Sequence, residues 1–310
     1  MNDKPVDLSV VLGKIKLKNP VMPSSGTFGY GIEFTDFLNL NDLGAVIVKG
    51  TTLHPRLGNF QHRFTEVAGC TSISTIGLQN VGVERFIKDK LPALRQYETP
   101  VIVNIAGESI EEFTQLTETL TKVKGIAGLE INLACPNVKE GGAAFTANPE
   151  TTFRVVQAVR NATDLTIIPK LAPSAVDMAV LAKICEEAGA DAICPNFSIL
   201  GMAIDIHTRK SKLGKNLVAS VGGPWMKPIS VRLVWQAVQV VKIPVIGVGG
   251  ITSAEDAIEF ILAGATAVQI GIYNFIDPSV TIKTIEGIRN YMVEKGIYRI
   301  ADLRGGFVPS

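Results

Sequence analysis

A cysteine flanked by two asparagines, in Asn132-Leu133-Ala134-Cys135-Pro136-Asn137, heads the residues that could do chemistry in this sequence. A free thiol titrates near ~8.5 and becomes a workable general base once its surroundings lower that value. The alternative is a small buried filler, and Cys185 and Cys194, in apolar runs, fit that role. The segment around Cys135 is polar and continues into Lys139-Glu140-Gly141-Gly142, which favours chemistry there. Lys49, Lys170, Asn104, Asn132 and Asn196 each end or follow a Val/Ile-rich run. A buried lysine or asparagine costs stability unless it is paired. Any one of them could serve packing, but together they point to a shared polar site. Two glycine clusters complete the set: Gly247-Val248-Gly249-Gly250, with Thr252 and Ser253 behind it, and Gly271. Glycine-rich turns beside a helix start offer free N–H groups to a phosphate. His54, His62 and His207 are scattered and read as surface residues.

The elements that must position these residues follow from hydrophobic periodicity. Short apolar runs at Pro20–Pro23, Ala45–Val48, Val101–Ile105, Gly128–Leu133, Thr166–Leu171, Ala190–Pro195, Pro244–Val248 and Ala267–Ile270 read as strands buried on both faces. Helical patterns lie between them at Val83–Tyr97, Ile110–Val123, Glu150–Thr163, Ala175–Ala188, Pro228–Val241, Ala254–Leu262 and Ile282–Lys295. Glu187-Ala-Gly-Ala190 and Leu262-Ala-Gly-Ala265 each end a helix with glycine before a strand. This rhythm predicts a (β/α)₈ barrel. No linker or composition break divides the chain, so a single domain over 1–310 is expected. In such a barrel the active site sits at the C-terminal strand ends, where Cys135, the lysines, the asparagines and the glycine clusters fall. Two connections, Leu53 to Asn80 and Phe197 to Lys227, are too long for turns and are expected to be long functional loops after strands two and six.

Composition excludes several classes. The 310 residues are 46% apolar with a formal charge of +1, which gives neither a nucleic-acid footprint nor a polybasic membrane patch. No run approaches the ~20 apolar residues of a spanning helix, and the polar start, Met1-Asn2-Asp3-Lys4-Pro5, has no signal core. The four cysteines show no Cys-x-x-Cys pair, so a metal site is not expected and a reducing cytoplasm is. No G-x-G-x-x-G follows a strand, so a nicotinamide bound in a Rossmann unit is not supported. A phosphate site beside buried lysines suggests flavin, because a lysine near the pyrimidine side of the ring would stabilise the reduced form. Lys170 is the better candidate for that place, and Lys49 could do the same or hold an anionic substrate.

Pro23-Ser24-Ser25-Gly26-Thr27-Phe28-Gly29, Lys49-Gly50-Thr51-Thr52, Ile76-Gly77-Leu78-Gln79-Asn80, Asn132 to Asn137, Gly201-Met202-Ala203-Ile204-Asp205 and Gly247 to Gly250 together resemble the dihydroorotate dehydrogenases. The similarity runs in order from about Leu8 to Phe275 and is strongest to the catalytic subunit of the two-subunit, NAD-linked type. The resemblance implies an FMN barrel that oxidises dihydroorotate to orotate in pyrimidine synthesis. It also implies a homodimer core and a partner subunit carrying FAD and a [2Fe–2S] cluster. Cys135 would remove the C5 proton while hydride leaves C6 for flavin N5. Ser25, Lys49, Gly50, Asn104, Asn132, Lys170, Asn196, Gly223, Gly249, Gly250, Gly271 and Ile272 would contact FMN. Lys49, Asn132, Asn137 and the wall Ser74, Ile76, Gly77, Leu78, Phe197 and Ser198 would hold the substrate.

The sequence departs from the family at several of these places. Ser74 and Phe197 stand where the family has ring-reading asparagines, and Ala219-Ser220-Val221-Gly222 and Ile272 also differ from its pattern. Two further readings therefore stay open: a paralogous flavin enzyme acting on another conjugated ring or unsaturated acid, and a phosphate-binding barrel without redox chemistry. The departures predict a weakened grip on dihydroorotate.

Overall fold

A computed structural model describes residues 5–69, 71–133, 143–195 and 199–308, without the side chains of 143 and 144. Cys70, Cys135, Asn137, Asn196, Phe197 and Ser198 lie outside the described residues.

The eight expected strand positions close into a ring. Val46–Thr51, Val101–Ile105, Gly128–Leu133 and Thr166–Leu171 pair in parallel in chain order. Ile246–Val248, Ala267–Ile270 and Val21–Pro23 form a second parallel run. The sixth position is shorter than expected. In place of a strand over Ala190–Pro195 there are two parallel bridges, Lys170 to Cys194 and Ile193 to Val245, which join the two runs. Gly44 N–H donates to Val21 O at 3.0 Å and closes the ring between strands one and two.

Each strand alternates between two cores. Val46 and Val48 face the outer helices, while Ala45 and Ile47 face the barrel interior with Ile102, Ile168, Ile246 and Ala267. This two-sided burial explains why the strands read as unbroken apolar runs. A hairpin of Val10–Leu12 and Ile15–Leu17 adds Leu12, Ile15 and Leu17 to the interior core and plugs the N-terminal end. Its turn needs Gly13, which has φ 55 and whose Cβ would lie 2.7 Å from Asp191 Cβ.

The outer helices lie close to expectation, at Ile110–Thr121, Pro149–Ala162, Met178–Glu187, Lys227–Val238, Ala254–Leu262 and Val280–Glu294. Side-chain caps fix several starts: Ser109 accepts from Glu112 N, Asn148 from Glu150 N, and Asp177 from Ala179 N. The helix expected over Val83–Tyr97 is broken by a π-turn at Phe86–Lys90, between Gly82–Arg85 and Leu91–Leu94.

The two long connections are not irregular loops. Phe64–Val67 and Thr71–Ser74 from the first pair with Ile199–Gly201 and Ala219–Gly222 from the second in one four-stranded antiparallel sheet. Ser220 is opposite Ser74, and Gly222 is opposite Ser72. Chain segments ~150 residues apart thus build one wall over the C-terminal end of the barrel. Among the described residues no helix is long and apolar enough to cross a membrane.

Candidate active site

A cavity of about 1220 Å³ of empty space, its mouth included, opens at the C-terminal strand ends. Strands one to four supply Ser24, Ser25, Lys49, Gly50, Asn104 and Asn132, and strands seven and eight supply Gly249, Gly250, Gly271 and Ile272. The antiparallel sheet and its flanks add Ser72, Ser74, Ile76, Gly77, Leu78, Ser220, Gly222 and Gly223. The structure thus gathers every described residue expected at the site except Lys170, which lies in a deeper layer. His54, His62 and His207 are exposed. Cys185 and Cys194 are buried, and burial pushes the Cys185 thiol up to about 12, so it is inert as a base.

Lys170 is fully buried beneath the cavity floor. Its ammonium donates to Gln269 Oε1 at 2.6 Å, to Ser24 Oγ at 3.0 Å and to Glu130 Oε1 at 3.4 Å. Glu130, also fully buried, accepts at Oε1 from Asn104 Nδ2 at 2.7 Å and Ser25 Oγ at 2.8 Å. Its Oε2 accepts from Gln269 Nε2 at 2.7 Å. Asn132 Nδ2 donates onward to Asn104 Oδ1 at 3.1 Å. The floor residues Ser24, Ser25, Asn104 and Asn132 are therefore held from below by a carboxylate–ammonium pair.

Glu130 and Gln269 are functional residues not expected from the sequence. The signal was period two. Glu130 stands two before Asn132, and Gln269 two before Gly271, so both share the inward face of strands that otherwise bury Val, Ile and Leu.

Lys49 is half-buried on the cavity wall. Its backbone N–H is fixed to Gly29 O at 2.8 Å, and its ammonium lies 5.8 Å from the centroid of the Tyr30 ring. Burial holds it below the usual lysine range, with Glu33 pulling the other way. Opposite, Leu78 sits at φ 55, unusual for a branched side chain. Asn80 accounts for it: its Nδ2 donates to Leu78 O at 2.7 Å, and its Oδ1 accepts from Gly82 N and Thr52 N. This buried clamp presents Ile76, Gly77 and Leu78 to the cavity.

At the other end of the cavity Gly249 and Gly250 have φ 109 and 81. A Cβ on Gly250 would lie 2.5 Å from Lys227 N, so packing alone requires glycine there. A Cβ on Gly271 would meet only Ser24 Cβ, at 3.8 Å, so what it leaves open belongs to the cavity. The helix after strand seven differs from expectation as an anion site. Its first turn is already closed by a capping box of Ser253 and Asp256, and Asp256 also takes Thr252 N at 2.8 Å. The short turn Ile272–Phe275 after strand eight has no side-chain cap and starts at the cavity. Ser72 Oγ, buried and facing the cavity, has no hydrogen-bond partner among the described residues. An open glycine cradle, an uncapped turn and an orphaned hydroxyl around one cavity fit a phosphate-bearing, polar cofactor.

A family model described as "Dihydroorotate dehydrogenase" matches residues 7–292. The chain belongs to the dihydroorotate dehydrogenase family. It is 48% identical over 302 residues to the catalytic subunit of dihydroorotate dehydrogenase B (NAD(+)) of Geotalea uraniireducens (strain Rf4), covering 97% of this chain and 98% of that one. It is 49% identical over 300 residues to the protein of the same name from Thermoanaerobacter sp. (strain X514), covering 97% and 98%. A crystal structure of the Eimeria tenella dihydroorotate dehydrogenase in complex with ferulenol superposes with TM-score 0.80 at 19% identity, over 99% of this chain and 90% of that one. At that identity the superposition speaks for the fold, which it shares with this member of the family.

Proposed function

We propose that this chain is the FMN-bearing catalytic subunit of a dihydroorotate dehydrogenase, folded as one barrel domain. It would oxidise dihydroorotate to orotate and pass the electrons to a partner subunit carrying FAD and a [2Fe–2S] cluster. The observation that carries this reading is the cavity ringed by Ser25, Lys49, Asn104, Asn132 and Gly249–Gly250, in a chain similar over 97% of its length to enzymes of that name. Full-length similarity to relatives of one name favours this reading over a paralogous oxidoreductase and over a barrel without redox chemistry. A cytoplasmic homodimer core belongs to the same proposal.

When bound, FMN would supply the two-electron acceptor. The backbone at Gly249, Gly250, Gly271 and Ile272 would hold its phosphate. Ser25, Gly50, Asn104, Asn132, Asn196 and Gly223 would bind its ring and chain, with Lys170 acting through the floor. Lys49 would hold the anionic substrate, aided by Asn132 and Asn137 and walled in by Ser74, Ile76, Gly77, Leu78, Phe197 and Ser198. Cys135 would take the C5 proton. The Ser74 hydroxyl, which shares its face of the wall with Ser72 and Ser220, would stand in for the family's amide.

The test is direct. The purified chain is expected to be yellow, to release FMN rather than FAD on denaturation, and to bleach anaerobically with dihydroorotate. A colourless protein that takes up no FMN on reconstitution overturns the cofactor. A yellow protein that dihydroorotate does not bleach overturns the substrate.

Lys49 gives a pH prediction. Because burial lowers its folded-state value, its ammonium is lost at a pH below that of free lysine, about 10.4. Anion binding by Lys49 therefore fades as pH rises through that lowered value. Orotate affinity, read from the flavin spectrum, is expected to fall on the alkaline side. Lys49→Met should bind roughly 10- to 100-fold more weakly at pH 7, the loss of a charge-assisted hydrogen bond worth about 1.5–3 kcal/mol, and lose that alkaline limb. The same alkaline limb in the methionine variant would assign it to another group.

A further inference from the structure

Glu130 is the feature of the molecule that the proposed reaction does not use. It touches neither substrate nor cavity, yet it sits fully buried one side chain below the floor. A buried carboxylate is costly unless charge and hydrogen bonds compensate it. Here compensation is extensive: Lys170 on one side, with Ser25, Asn104 and Gln269 donating to the two oxygens. Lys170 likewise spends its ammonium on Gln269, Ser24 and Glu130, in place of an open view of the cavity. The floor of the site therefore rests on a neutral pair, where a lone lysine would leave a net positive charge.

We propose that Glu130 is a positioning residue that balances Lys170 under the cavity and so holds down the two-electron reduction potential of the bound flavin. The inference rests on the FMN reading above. Bound flavin that takes up two electrons and one proton, as a hydride, would carry one negative charge, while the second proton goes to the base. A bare ammonium below it would favour that charge strongly in a dry site, and the Glu130 carboxylate cancels most of that pull. A second consequence is geometric: the same two oxygens aim Ser25 and Asn104 upward.

The test is the flavin reduction potential of the FMN-loaded parent, of Glu130→Gln, and of the neutral double variant Glu130→Gln/Lys170→Met. Glu130→Gln is expected to shift the equilibrium toward reduced flavin by ~10-fold or more, which is about 30 mV upward for a two-electron couple. The double variant is expected to stay within ~3-fold of the parent, because charge has been removed in balance. A scaffold role alone would weaken FMN binding in both variants without this signed pattern. An unchanged or lowered potential in Glu130→Gln overturns the proposal. So does a double variant whose potential falls ~10-fold or more, since Lys170 would then be acting unopposed. Should Glu130→Gln fail to fold, Lys170→Met takes its place: it is expected to shift the equilibrium ~10-fold or more toward oxidised flavin, a shift that the double variant reverses, and an unchanged potential overturns the proposal. A parent that takes up no FMN removes the functional reading together with this one. A parent that binds FMN while the potentials fail to shift removes this one alone.

Discussion

Replacing Cys135 with serine is expected to slow flavin reduction by dihydroorotate ~10²–10⁴-fold while leaving FMN in place. The loss is that of a positioned general base, because a serine hydroxyl holds its proton far more tightly than a thiol. Activity should recover in part as pH rises, which a merely misfolded pocket would not do. The assignment starts from the end of strand four. Asn132, buried and lining the cavity, is held by Asn104, and the chain then runs through Leu133 and Ala134 to the thiol. The described alternatives are poor: Cys185 and Cys194 are buried in the apolar cores. Stopped-flow flavin bleaching is the measurement. A serine variant that bleaches at the parental rate would move the base elsewhere.

Lys170→Met is expected to cost about 3–5 kcal/mol of folding stability, because it strands the Glu130 carboxylate without its cation in a dry layer. That is a large share of the ~5–15 kcal/mol a domain typically has. Adding Glu130→Gln should restore much of it, since a neutral pair leaves no buried charge. Denaturant unfolding of the flavin-free protein reads both numbers. A Lys170→Met cost below ~1 kcal/mol, with no recovery in the double variant, would mean that the pair at 3.4 Å carries little charge interaction.

The expected weakening of the grip on dihydroorotate is read from Ser74 and Phe197 one residue at a time. The folded wall brings Ser72 and Ser220 beside Ser74, across a pairing that joins chain positions ~150 residues apart. Hydrogen-bonding groups lost from one strand of a motif can be supplied by its neighbour, and only register says which.

The barrel itself was legible because both faces of its strands are buried. Val, Ile and Leu runs with glycine at helix ends are a local signal, and five of the eight strands fall within about one residue of expectation. The ring of Ser25, Lys49, Asn104, Asn132, Gly249 and Gly271 was legible for a related reason: a polar residue ending an apolar run marks the C-terminal rim. Tertiary structure decided what local signals cannot carry. Strand six is reduced to two bridges, one to each neighbour. The long connections became one sheet through contacts far apart in sequence. Lys170 lies below the cavity, not in it, because Glu130 on the neighbouring strand and Gln269 on strand eight offer its ammonium partners beneath the floor. Strand polarity and residue type are written in the sequence, whereas which side chain satisfies which buried charge is settled only when the barrel closes.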